Sequence, residues 1–185
     1  MRGFHPTEWR FSHRTADGQV LWLSGIGDVD MEVGSAEHLA ALAEQPWTPN
    51  ALADEGEQDM LSVYFRAGTA PTNFYIGLVN DTPVETDTVA TLTGEPSGNG
   101  YARQLVERNS TGWPTLALDS GDYRVVSGEE TFTASGGSIG PVTYSFLTTT
   151  SSGTAGLLIA YAALSASRTL AAGETLGVTA RVKLA

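Results

Sequence analysis

Apolar and polar positions alternate one by one along the end of the chain, in TLGVTARVKLA. Leu176, Val178, Ala180, Val182 and Leu184 fall on one side, with Gly177, Thr179, Arg181 and Lys183 on the other. A period of two over that length predicts a strand with one buried face. Shorter segments of the same kind precede it: NFYIGLVN (residues 73–80), YARQLVER (101–108), DYRVVS (122–127), ETFTAS (130–135), VTYSFLTTT (142–150) and AGLLIAYAALS (155–165). Between them lie GEPSGNG, SGG, TSSGTAG and AAGE, rich in residues that reverse a chain. Strands at this spacing predict a mainly β fold, an antiparallel β-sandwich of jelly-roll-like layout rather than a parallel α/β sheet.

The first third of the chain reads differently. EWRFSHRTADGQVLWLS (residues 8–24) carries two apolar stretches around Asp17-Gly18, a dipeptide suited to a tight hairpin. In SAEHLAALAEQ (residues 35–45) Ser35 can cap the first amides of a short helix, which Pro46 ends. A second helix is expected from Asn50 or Asp54 to Arg66, because Asp54, Glu55 and Glu57 load its first turn and Gly68 follows its end. Met60, Leu61, Tyr64 and Phe65 recur at spacings of three and four, predicting an apolar stripe that covers the sandwich. The expected division is an N-terminal arm over residues 1–49, a hairpin plus short helix, and a helix-capped sandwich over residues 50–185. Deleting Met1 to Trp47 is then expected to leave the sandwich folded, and Leu61→Asp to unfold it.

Composition narrows the functional classes. With 185 residues the chain can bury roughly 70% of its unfolded surface, and with no cysteine it holds neither a disulfide nor a thiolate metal site. The net charge of −11 is concentrated early: residues 1–65 contain 3 basic and 11 acidic residues, and nine carboxylates lie between Asp28 and Asp59 with no Lys or Arg among them. Nucleic acid as a partner requires the opposite sign. The longest apolar runs fall short of the ~20 residues of a spanning helix, so no membrane partner is expected. MRGFHPTEWR lacks the apolar run of a secretory signal, which favours a protein that is not exported.

Catalytic equipment is sparse. His5, His13 and His38 all lie in the first third, none beside a nucleophile elbow. Glu129 and Glu130 are adjacent, and neighbours on a strand point to opposite faces, so they make a poor glycosidase pair. Asp28, Asp30 and Glu32, or Asp119 and Asp122, could offer oxygen to calcium but lack a full ligand series. GEPSGNG has no following Lys and leads into a strand, which excludes a phosphate loop. No catalytic residue, cofactor or metal is expected. The aromatic residues Trp9, Trp22, Trp47, Trp113 and Tyr123 are the interface candidates, Trp113 foremost.

FYIGLVNDTP, EPSGNGYARQLVER and GWPT, led by the helical NALADEGEQDML, together resemble a pattern in structural proteins of tailed bacteriophages. GPVTYSFL, GLLIAYAALS and GETLGV look like that family's closing strands, so the resemblance spans about residues 50–185. It implies a non-enzymatic virion protein assembled in the host cytoplasm, foremost a head decoration (cement) subunit on the outer capsid surface. That subunit would bind the major capsid protein or neighbouring virion proteins, as a homotrimer. The alternative it implies is a tail or fibre component that contacts the host surface, with Trp113 and Tyr123 in the contact patch.

Overall fold

A computed structural model describes residues 7–119 and 121–183. In chain order the elements are β1 (Thr7–Arg14), β2 (Gln19–Leu23), β3 (Gly27–Glu32), α1 (Ala36–Glu44), β4 (Thr48–Leu52), α2 (Asp54–Phe65), β5 (Asn73–Val79) and β6 (Gln104–Glu107). There follow β7 (Thr115–Asp119), β8 (Asp122–Val126), β9 (Glu130–Thr133), β10 (Ile139–Thr148), β11 (Leu158–Leu170) and β12 (Thr175–Lys183). The strands form two antiparallel sheets packed as a sandwich, and the continuous hydrogen-bonded path runs β6-β5-β10-β11-β4-β1-β12-β8-β7. β4 is the hinge of the two layers. Its first half pairs with β1, Trp9 opposite Thr48, and its second half with β11, Leu52 opposite Ala160.

The main core lies between the sheets, where Trp9, Phe11, Leu176, Val178 and Ala180 face Ile76, Leu78, Val106, Leu147 and Ala162. A smaller core, with Val79, Val89, Phe146, Leu158 and Tyr161, lies on the far side of the β5-β10-β11 layer. That layer is therefore covered twice, and residues 145–148 are buried in succession instead of alternating. The chain between β5 and β6 supplies the second cover and is pinned at two points. Asp81 accepts from the Thr93 and Thr82 amides at 2.7 and 2.8 Å, and Arg103 pairs with Glu95 at 2.7 Å while donating to the Thr150 and Gly153 carbonyls.

Both helices lie where the sequence puts them. Ser35 accepts from the His38 amide as the N-cap of α1, and α2 begins at Asp54 rather than Asn50. Three expectations change. The N-terminal stretch is no separate arm: β1 pairs with β12 over eight residues, from Thr7 opposite Val182 to Arg14 opposite Thr175, and fills the gap between β4 and β12. The boundary expected at residue 49 consequently falls inside β4. The second face of β12 is not open, since Gly177 and Arg181 are buried under the turn around Trp47 and under Glu129. Leu184 lies outside the described residues.

Candidate functional site

The seating of α2 decides which of its residues meet solvent. Its start is clamped on β11 and on the chain between β5 and β6: the Ala53 amide donates to the Ile159 carbonyl at 3.0 Å, the Asp54 amide to the Glu85 carbonyl at 2.9 Å, and the Glu55 carboxylate accepts from the Leu158 amide at 2.8 Å. Gly56 rests directly on the Ile159 backbone. With that side turned inward, the stripe expected to cover the sandwich points outward. Leu61 is 59% exposed, Tyr64 83% and Phe65 74%, and the two aromatic rings meet edge to face at 5.0 Å. Beneath the helix runs an open apolar groove of about 820 Å³, floored by Leu52, Pro71 and Phe74 and rimmed by Glu57, Asp59 and Arg108. Burial pushes the Asp59 carboxyl above the ordinary aspartate range, against the pull of the Arg108 guanidinium.

A second apolar surface lies on the β7–β8 hairpin. Leu116 pairs with Val125 and Leu118 with Tyr123, and Val125 in turn pairs with Val182 of β12. Alternation then puts Leu116, Leu118 and Tyr123 on the same face as Val178 and Ala180, the face that forms the core. This sheet extends past its partner layer, and the three side chains remain 74%, 61% and 61% exposed. The two surfaces are linked by Phe74, which lines the groove and meets Trp113 edge-on at 6.2 Å, and β7 begins two residues beyond Trp113.

The aromatic interface candidates therefore separate. Trp9 and Trp22 are almost fully buried in this chain's own core and offer nothing to a partner. Trp47 is half-buried between two guanidiniums, Arg10 at 4.2 Å and Arg181 at 4.4 Å, and closes the outer face of the β1–β12 sheet. Trp113 is half-buried against Phe74, and Tyr123 alone of the five is largely exposed. Sequence reasoning named Tyr123 but missed Leu116 and Leu118, and it found the α2 stripe while assigning it inward. The signal for the stripe was already in the chain: Gly56 marks the side of the helix that approaches another backbone.

Among the described residues no three His, Asp or Glu side chains are grouped to hold a metal ion. Asp119 is instead an ion-pair partner of Arg124 and Arg181, and Glu129 of Arg14. No helix among the described residues is long and apolar enough to cross a membrane. The described outside of the sandwich thus carries large aromatic and aliphatic side chains in solvent, on α2 and on the β7–β8 hairpin. Residues 51–182 match the family model described as podophage GP4 fiber I protein gp80, and the chain belongs to that family. It is thus a phage virion structural protein of the tail- and fibre-associated kind. No curated protein matches the chain.

Proposed function

We propose that the protein is a subunit of a phage fibre and acts without catalysis, as a stiff β scaffold that docks on neighbouring virion proteins. The observation that carries this reading is the family match, which runs from the end of β4 to the end of β12 and so takes in α2 and both layers of the sandwich. The exposed surfaces support it. An anchored helix with Leu61, Tyr64 and Phe65 outward is a preformed contact that loses little conformational entropy on docking. Such a subunit stabilises the assembled state by mass action, and repetition around a symmetric particle multiplies weak contacts into avidity. The strongly acidic character disfavours direct nucleic-acid contact.

Imaging of intact particles, with this chain carrying a small tag in the exposed 151–154 turn, tests the assignment. Density at the tail fibres is the expected result. Regular density over the capsid lattice would replace the fibre reading with that of a head decoration subunit. Binding of the purified protein to host cells would further distinguish a fibre part that touches the host from one that only connects other parts.

A further inference from the structure

We propose that the open pocket on the outer face of the β1–β12 pair, beneath the turn that ends α1, binds an acidic saccharide: a sugar ring whose carboxylate is gripped by Arg10 and whose hydroxyls reach Glu129. The site is built wholly from this chain and does not depend on the fibre reading.

The outer face of β1, β12 and β8 carries five cations, Arg10, Arg14, Arg124, Arg181 and Lys183, on a protein whose net charge is −11. Four of them meet a carboxylate: Glu129 pairs with Arg14, Glu8 with Arg181, and Asp119 is shared by Arg124, Arg181 and Lys183. Among the described residues Arg10 meets none. Its Nη1 donates to the Leu42 carbonyl at 3.2 Å, its guanidinium lies 4.2 Å from the centre of the Trp47 ring, and its Nε is buried with no partner among the described residues. Burial and the nearby Arg124 hold its pKa below the ordinary arginine value, yet a guanidinium stays protonated. A ligand carboxylate supplies the counter-charge, and the planar fork receives it two-pronged. At ~0.1 M salt, charges more than about 10 Å away are largely screened, so this local cation outweighs the acid elsewhere on the chain.

The shape selects a sugar over a bare anion. The pocket holds about 250 Å³, and both Arg10 and Glu129 line it. Glu129 is bonded to Ser12, which stands two residues along β1 from Arg10, about 7 Å away in an extended strand. Arg14 and Ser12 both donate to Oε2 of Glu129, at 2.6 and 3.4 Å, leaving Oε1 for a ligand. A simple anion would satisfy Arg10 and be repelled by Glu129. A neutral sugar would satisfy Glu129 and leave Arg10 uncompensated. A ring with both a carboxylate and hydroxyls serves the two ends together, while Leu42 and Trp47 give its C–H groups an apolar wall. The roof is already fixed, since Gln45 Nε2 donates to the Phe11 and Ser24 carbonyls at 2.9 and 3.3 Å and Pro46 sits directly on Gly25. Little has to be ordered on binding. On a fibre, many copies would turn weak single contacts into avidity for an acidic polysaccharide, a consequence that does rest on the fibre reading.

Calorimetric titration of the full chain with glucuronate tests the proposal. A single ring at the efficiency usual for small ligands binds at about 1 mM, and glucuronate should do so once per chain. Glucose, acetate and tetraglutamate should each bind about tenfold more weakly. Arg10→Gln should lower glucuronate to the level of glucose. Arg10→Lys, which keeps the charge and loses the fork, should weaken glucuronate several-fold with the melting temperature unchanged, so that loss of the pocket is separated from loss of the fold. Glu129→Gln should weaken glucuronate and strengthen acetate. Acetate binding as well as glucuronate would reduce the pocket to an anion site, and tighter binding of tetraglutamate would assign it to an acidic protein segment; either overturns the proposal. So does the absence of saturable binding up to about 20 mM. None of these results bears on the fibre assignment, which the particle imaging decides.

Discussion

At the scale of single residues the fold depends on a few close approaches and buried charges. Gly56 is one: a Cβ there would overlap the Ile159 backbone, so Gly56→Ala, which raises helix propensity, should instead destabilise by about 3 kcal/mol, read from denaturant unfolding. Arg103 is another, with its side chain 3% exposed and its charge met by Glu95. Glu95→Ala strands that guanidinium and should cost about 3 kcal/mol, whereas replacing the two together with apolar residues should cost much less. His38 is the third. Burial holds its pKa below the ordinary histidine value, and its Nδ1 accepts from the Gly34 amide at 2.9 Å, which only the neutral ring can do. A depressed pKa means that the unfolded chain takes the proton first. The stabilisation is therefore complete above about pH 6.5 and is lost as pH falls from there through the folded value. Hydrogen exchange in α1 should accelerate over that window, and His38→Gln should flatten the response.

At the scale of elements, helix α2 separates what the sequence shows from what it does not. Spacing gave the helix, its start and its stripe, but not its orientation, which is set by backbone contacts with β11 that lie about a hundred residues away. Leu61→Asp is consequently a surface change: melting should shift by no more than the equivalent of ~0.5 kcal/mol, and only association should fall. Strands with their own apolar rhythm, β5, β10, β11 and β12, were legible from composition and turns. β3, β4 and β7 were not. β3 reads as an acidic loop because its exposed positions carry Asp28, Asp30 and Glu32, a guard that discourages further strands from pairing at an open edge. β4 reads as a connector because Thr48–Leu52 contains a proline and splits its pairing between two sheets. β7 reads as a loop because its sheet runs past the opposing layer, so Leu116 and Leu118 have no core to signal.

At the scale of the whole molecule, the family match and the folding unit do not coincide. The matched region begins at residue 51, yet β12 there has β8 and β9 on one side and needs β1 on the other. Removing residues 1–47 deletes β1, β2, β3 and α1, and with them Trp9, Phe11, Trp22 and Leu23, which are at most 2% exposed. Each buried aromatic or leucine contributes on the order of 2 kcal/mol, so losing the four removes about 8 kcal/mol, as much as the total stability of many domains. The truncated chain should therefore be largely unfolded or aggregated by circular dichroism and light scattering, instead of a folded sandwich with one function missing. Of the deleted elements β1 is the one that pairs with β12, continuously over eight residues, so a separate segment covering residues 1–47 should restore a cooperative melt when mixed with the truncated chain. A truncated protein that melts cooperatively alone would mean that β12 tolerates an open edge, and that the N-terminal quarter is an addition to the sandwich after all.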